Sequence, residues 1–539
     1  MTFLEVQADF SEGISQGYID IPGFPRINFP VSWSFLFGQP TTKKPTPTVR
    51  ATPRAGSTTK SSGTTPKYSS TTKKSSGSTK PSGPNTANPS SSTAKPGVSS
   101  SNGPATSTKP GDNCPGCHAP LQNWGGNFNF STRHINYPTT TAGVQQLVNE
   151  CKGKVRPMGT RHSFSPIANS DDTIICLVHM NLILSVDPSV PSVTVQAGIT
   201  YTDLIPFLQS IGLALPILAS LAEISVAGGM QTGAHGSGYG IGNLATQAIA
   251  LQMVLADGSV KNYTKNDPEF PAAALGLGAM GIITEVTLQL EPTYNLAINV
   301  FENMSISELD NNMDDLIQAG HAVNLWSTFG TPGLLDQVWI TSKVDSNGVN
   351  AYGNVSQLYG APAATAQASP IAALPPTFVV PQMGIEGPWY ERLTDYDLGL
   401  SGNEGHETQS EYYLAYDDFL PALKALQNLS AEINEVVYVS LFRITEADEL
   451  WMSPQYKKRT MAIHFSWQPK LDQVMALLPK IEAILAPYHP IPHWGKLFTL
   501  KPADYLSQMP KHDDWKAQVE QLDPTHKFRN QFLNEKIFV

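Results

Sequence analysis

Two glycine-rich segments flank one strand-rich stretch of the chain. They are Pro157-Met158-Gly159-Thr160-Arg161-His162-Ser163-Phe164 and the run from Ala219-Ser220 to Ala234-His235-Gly236-Ser237-Gly238. Each exposes backbone N–H groups with few side chains in the way. Unpaired amides of this kind form an anion-binding concavity. Together the two loops suit a large phosphate-containing cofactor held mostly by backbone. His162 sits inside the first loop, where such a cofactor would lie.

The chain has 539 residues, too many for one ordinary core, so two or three folded units are expected. Apolar content of 40% suits a globular enzyme-sized protein. No apolar run is long enough to cross a membrane as a helix. The net charge of -10 is uneven: residues 41–112 hold eleven Lys/Arg and one acidic residue, which leaves -20 for the remainder. An acidic globular part argues against nucleic acid as a partner.

Residues 1–40 are mildly apolar and irregular and carry no assignment. Residues 41–112 are Thr, Ser, Pro, Lys and Gly with almost no large apolar side chain. Such a segment cannot bury enough surface to offset its ordering entropy, so a disordered linker is expected. Ser/Thr/Pro tracts also resemble glycosylated stalks. That stalk, with sequons at Asn129, Asn262, Asn303, Asn354 and Asn428, mildly favours a secreted or membrane-associated location. The start of the chain lacks a basic segment followed by an apolar core, so it shows no clear targeting signal. Cys114 and Cys117 form a C-x-x-C with no second pair, which suits a local disulfide or two free thiols. Cys176 reads as a buried strand residue.

Folded sequence starts near Pro120. Apolar spacing predicts a helix from Thr141 to Val148, and Lys154–Met158 reads as a strand feeding the first glycine loop. Ser192–Ala197 alternates like a half-buried strand. Thr200 caps a helix that Gly212 terminates. Ala248–Leu255, Asp257-Gly258 and Val260–Tyr263 form a hairpin, and Ile282–Leu290 a strand. Beyond Pro292, helices over Phe419–Leu429 and Leu471–Ala486 mix with strands Tyr438–Ile444 and Met461–Trp467. Irregular alternation with hairpins gives an α+β class rather than a doubly wound parallel sheet.

Neither glycine segment is a Walker loop, and neither matches the dinucleotide fingerprint of a strand-to-helix turn. ATP and NAD are weakened, and a flavin dinucleotide remains. From about Asn123 onward the chain resembles the vanillyl-alcohol-oxidase-type flavoproteins, and among them the sugar-alcohol and aldonolactone oxidases. The motifs are Gly159-Thr160-Arg161-His162-Ser163-Phe164, Leu213-Ala214-Leu215-Pro216, Ser220 to Gly229, Thr232 to Gly238, His493-Trp494-Gly495-Lys496, and Leu522-Asp523-Pro524 with Phe528 and Asn530. Gly387 to Arg392, Gln409-Ser410-Glu411-Tyr412 and Trp451-Met452-Ser453-Pro454 are similar to the alditol (xylitol) oxidase branch.

The resemblance implies a PCMH-type FAD-binding domain of two α+β subdomains over 120–293. A substrate domain over 294–539 would follow, its last ~40 residues returning to the FAD domain. It implies FAD joined covalently through His162, a lever on flavin chemistry. Gly159, Thr160, Arg161, Ser163, Ser220, Ser225, Gly228, Gly229, Thr232, Gly233 and Ile283 would bind the cofactor. Arg443, His464 and Lys496 would be catalytic: two cations lower the hydroxyl pKa, and His464 bonds the hydroxyl or takes its proton. Ser220, Gln409, Arg443, Ser466 and Lys496 would bind substrate. His235 reads as structural, and no metal is expected.

The family usually places Glu-x-Arg on the substrate strand, where this chain has Leu441-Phe442-Arg443. Loss of a buried polar partner costs a few kcal/mol of binding or discrimination. The run Pro216-Ile217-Leu218-Ala219 beside Ser220 is also unusually apolar. The expected activity is FAD-dependent oxidation of a CH–OH group of a sugar alcohol or aldonolactone, with electrons passed to O2. A dehydrogenase using another acceptor, and a non-catalytic secreted flavin-binding or matrix protein, are the alternatives.

Overall fold

The computed structural model describes residues 121–539, apart from residues 373 and 397–406, together with a strand pair at Tyr18–Ile19 and Ile27–Asn28. The linker expected over 41–112 and the Cys114/Cys117 pair lie outside the described residues.

Two sheets build the first half. A parallel three-stranded sheet runs in the order Ile135–Asn136, Thr173–Cys176, Val155–Met158. An antiparallel five-stranded sheet follows in the order Val260–Thr264, Ala248–Val254, Ile282–Gln289, Ser192–Gln196, Ile183–Asp187. The helix Thr141–Glu150 is capped by Thr140, whose hydroxyl accepts from the Gly143 amide, and buries Val144 and Val148 one turn apart. Thr200 likewise caps Tyr201–Ser210, accepting from Asp203 N. A cap of this kind contributes about 1 kcal/mol. Gly212 (φ +73) follows that helix in the left-handed conformation that stops it. Cys176 is buried at the end of its strand.

The second half is one antiparallel sheet of eight strands. Its order is Gly387–Pro388, Asn295–Ser305, Leu334–Lys343, Ala322–Ser327, Val437–Thr445, Thr460–Trp467, Thr408–Ala415, Ile491–Pro492. The helices Tyr416–Leu426 and Leu471–Leu485 pack together and bury apolar stripes. Every residue of Thr460–Trp467 is buried. A strand buried on both faces must be covered on both, so the sheet face away from the helices, which carries His464 and Ser466, is itself an interior.

The C-terminal stretch crosses back to the first half. Arg156, wholly buried, donates to the carbonyls of Phe528 (2.6 Å), Gly278 and Leu277. Asn530 donates to those of Pro166, Ile167 and Asn169. Among the described residues no helix is long and apolar enough to cross a membrane, and no His/Cys/Asp/Glu group could hold a metal ion.

Candidate active site

Both glycine loops open on one cleft with about 1960 Å³ of empty space, part of it open to solvent. Gly159 to Ser163, Ser220, Ser225, Gly228, Gly229, Thr232 and Ile283 line it, as do Gln409, Arg443, His464, Ser466 and Lys496. Gly233 does not; it takes φ +70 just past the short helix Val226–Gln231 and serves the turn. Of the apolar run before Ser220 only Ala219 reaches the cleft. Ile217 and Leu218 are core residues packed under Gly236, where a Cβ would come within 2.3 Å of the Leu218 carbonyl. Their apolarity serves packing.

The first loop is built around an unpartnered nitrogen. His162 stacks on Trp124 (centroids 5.2 Å apart, 23° between planes), and its Nδ1 lies 3.0 Å from Thr160 Oγ1. Trp124 is brought there by its own amide, which donates to the Arg161 carbonyl at 2.8 Å. His162 Nε2 is buried with no partner among the described residues. Burial, and then the Arg161 charge, push the imidazole pKa down to about 4, so the ring is neutral with a free lone pair. Around Ser225 the backbone closes in: a Cβ on Gly159 would lie 2.1 Å from Ser225 Oγ, and one on Gly228 2.6 Å. These are bare-backbone walls that a side chain would fill. An orphaned histidine and a glycine cradle in an elongated cleft fit FAD.

The charged cluster lies on the sheet. Register places Trp326, Leu441, His464 and Glu411 side by side across four strands. Side chains two apart on a strand share a face, which adds Arg443, Ser466 and Gln409, and all seven line the cleft. Glu411, fully buried, is the centre. Its Oε1 accepts from Arg443 Nη2 (3.2 Å) and lies 2.7 Å from His235 Nε2; its Oε2 accepts from Lys496. Burial alone would raise its pKa, but Lys496, His235 and Arg443 together outweigh it and hold the carboxylate ionised, well below its usual range. Arg443 also donates to Ser220 Oγ at 3.1 Å.

Lys496 arrives on the loop after Ile491–Pro492. That loop is tied to the substrate strand by His493 N to Glu411 O (3.0 Å) and Leu497 N to Gln409 O (2.9 Å). It is tied to the first glycine loop by Phe164 N to Gly495 O (2.6 Å). The lysine thus stands between cofactor loop and sheet. Burial pushes its pKa down to about 8 despite the pull of Glu411. Its Nζ lies 2.8 Å from His464 Nδ1. Glu411 Oε2, which can only accept, lies 3.2 Å from the same Nδ1, and His464 Nε2 lies 3.1 Å from Ser466 Oγ. Burial and then the Lys496 charge push His464 down to about 3. Of the two, Lys496 has the pKa nearer neutrality.

Glu411 had no role in the sequence reading, although it lies within a quoted motif. Its spacing of two from Gln409 on a strand was the available signal. His235, read as structural, does hold this cluster: it is buried between Glu411 and Thr445 Oγ1, 3.0 Å from its Nδ1. Asp395, held by Asn324 at 2.6 Å, also lines the cleft. Only the fold brings it there.

A cleft that joins two glycine loops to a buried cluster of charged side chains suits a cofactor-dependent oxidoreductase. Two family models match the chain: the FAD binding domain over residues 132–264 and D-arabinono-1,4-lactone oxidase over 406–536. The chain is 32% identical to an alditol oxidase of Streptomyces sp. over 417 residues, 77% of this chain and 98% of that protein. It is 28% identical to L-gulonolactone oxidase of Mus musculus, covering 78% and 98%. A cholesterol oxidase from B. sterolicum shares the fold (TM-score 0.63, 16% identity, 77% and 96% covered). The chain belongs to the family of FAD-linked alditol and aldonolactone oxidases, and is an FAD-dependent oxidoreductase acting on CH–OH donors.

Proposed function

We propose that the protein oxidises a carbinol carbon of a small hydroxylated donor, a sugar alcohol or an aldonolactone, with dioxygen as acceptor and hydrogen peroxide as product. The observation that carries this is the Glu411-centred cluster, held by the Lys496 loop against the loop that bears His162. When bound, the flavin supplies the two-electron acceptor for the carbinol hydride and the route to oxygen. Lys496, as the free amine, takes the hydroxyl proton. Arg443 supplies the positive field that favours the forming alkoxide. Glu411 holds both cations in place. Neutral His464, with Ser220, Gln409 and Ser466, offers hydrogen bonds that orient the donor's oxygens.

Mixing the holoenzyme anaerobically with xylitol, sorbitol or an aldono-1,4-lactone should bleach the visible flavin band, and the same mixture in air should take up oxygen. Bleaching without oxygen uptake assigns a different acceptor. No bleaching with any of the three counts against the reading.

His162 is the residue proposed to carry the flavin at its 8α carbon. Its neutral, unpartnered nitrogen supports this. Acid precipitation should leave the yellow colour with the wild-type polypeptide and release it into the supernatant for His162→Ala. Release from wild type would rule the linkage out.

A further inference from the structure

The sheet face over the cleft is divided. In the row Trp326–Leu441–His464–Glu411, the boundary falls between Leu441 and His464, which are register partners on adjacent strands. On one side stand His464, Glu411, Ser466, Gln409 and Lys496. On the other, Trp326 and Leu441 are buried to 1% and 2% and belong to one apolar cluster. Ile371, Leu374 and Tyr396 pack against that cluster and line the same cleft. Arg443, two residues from Leu441 on the same strand, and Asp395, held by Asn324 of the Trp326 strand, edge the apolar wall. Trp326 Nε1 is buried with no partner among the described residues. This wall comes wholly from the second half of the chain.

A polyol lying across this face would set hydroxyls against Leu441 and Trp326, where they lose water and neither side chain offers an acceptor. An apolar group there gains about fourfold in affinity per buried methylene. We propose that the physiological donor is amphipathic: a hydroxylated end that reacts over the Lys496–His464 side, joined to an alkyl or aryl body that lies on the Trp326–Leu441 wall. This rests on the reading above that the cleft oxidises CH–OH donors, and narrows it to a substrate class.

The test has two arms on the holoenzyme. In the first, 2-phenyl-2-propanol and tert-butanol, tertiary alcohols with no carbinol hydrogen to give up, are titrated by their perturbation of the flavin spectrum. The phenyl compound should bind at least tenfold tighter, and the ratio should shrink several-fold in Leu441→Gln. In the second, kcat/KM for 1-phenyl-1,2-ethanediol should exceed that for xylitol at least tenfold, and Leu441→Glu or the milder Leu441→Gln should lower that ratio at least tenfold. Equal binding of the two tertiary alcohols, or a wild-type preference for xylitol, overturns the proposal while leaving the oxidase reading intact. Tenfold discrimination in the first arm with no bleaching by any donor supports the apolar wall and removes the oxidase reading instead.

Discussion

Replacing Lys496 with methionine lowers kcat/KM by about 10²–10⁴-fold, the range lost when a positioned proton acceptor is removed. Methionine keeps the apolar stem and deletes the amine whose pKa burial has brought down to about 8. The wild-type pH profile carries the same assignment. The reactive form is the free amine, so kcat/KM rises about tenfold per pH unit below about 8 and levels off above it. Because the pKa is lowered, the amine is available at a pH where an ordinary lysine is fully charged. Lys496→Met removes that limb. A profile that falls through pH 8, or a methionine variant within tenfold of wild type, would assign the proton to another group.

Glu411→Leu destabilises the fold by about 3–5 kcal/mol, the cost of stranding buried charge when one partner of a buried pair is removed. Glu411 meets Arg443 and Lys496, both largely buried, and a leucine leaves two cations without the carboxylate they share. The urea midpoint is the direct measure. Glu411 should also mark the acid limb of stability. Its folded pKa lies below the ordinary glutamate value, so its contribution is present above that value and is lost as pH falls through the folded pKa. The variant should therefore lose less stability than wild type on acidification. A variant of unchanged urea midpoint would mean that the cations find another anion or lose their charge.

Local signals in the chain were enough for the elements that carry the site. The cap at Thr200, the Asp257-Gly258 hairpin and the strands expected over Tyr438–Ile444 and Met461–Trp467 follow from spacing and residue type. Boundaries moved where tertiary packing decides them. The helix expected from Phe419 begins at Tyr416, with Asp417 and Asp418 in its first turn, and its last residues form a 3-10 turn.

Two features separate what was legible from what was not. Glycine loops and motif residues are local, so the sequence by itself determined the α+β class, the FAD cradle and the candidates His162, Arg443, His464 and Lys496. Register across strands is not local: it depends on which strands pair and with what offset. Only the tertiary structure set Glu411 two strands away from Leu441, so that the cluster keeps a carboxylate while Leu441 and Trp326 form an apolar wall. Only the fold buried Lys496 deeply enough to lower its pKa, and only the fold turned the apolar run before Ser220 into core. A carboxylate's role depends on which charges surround it, and those charges come from strands and loops far apart in the chain.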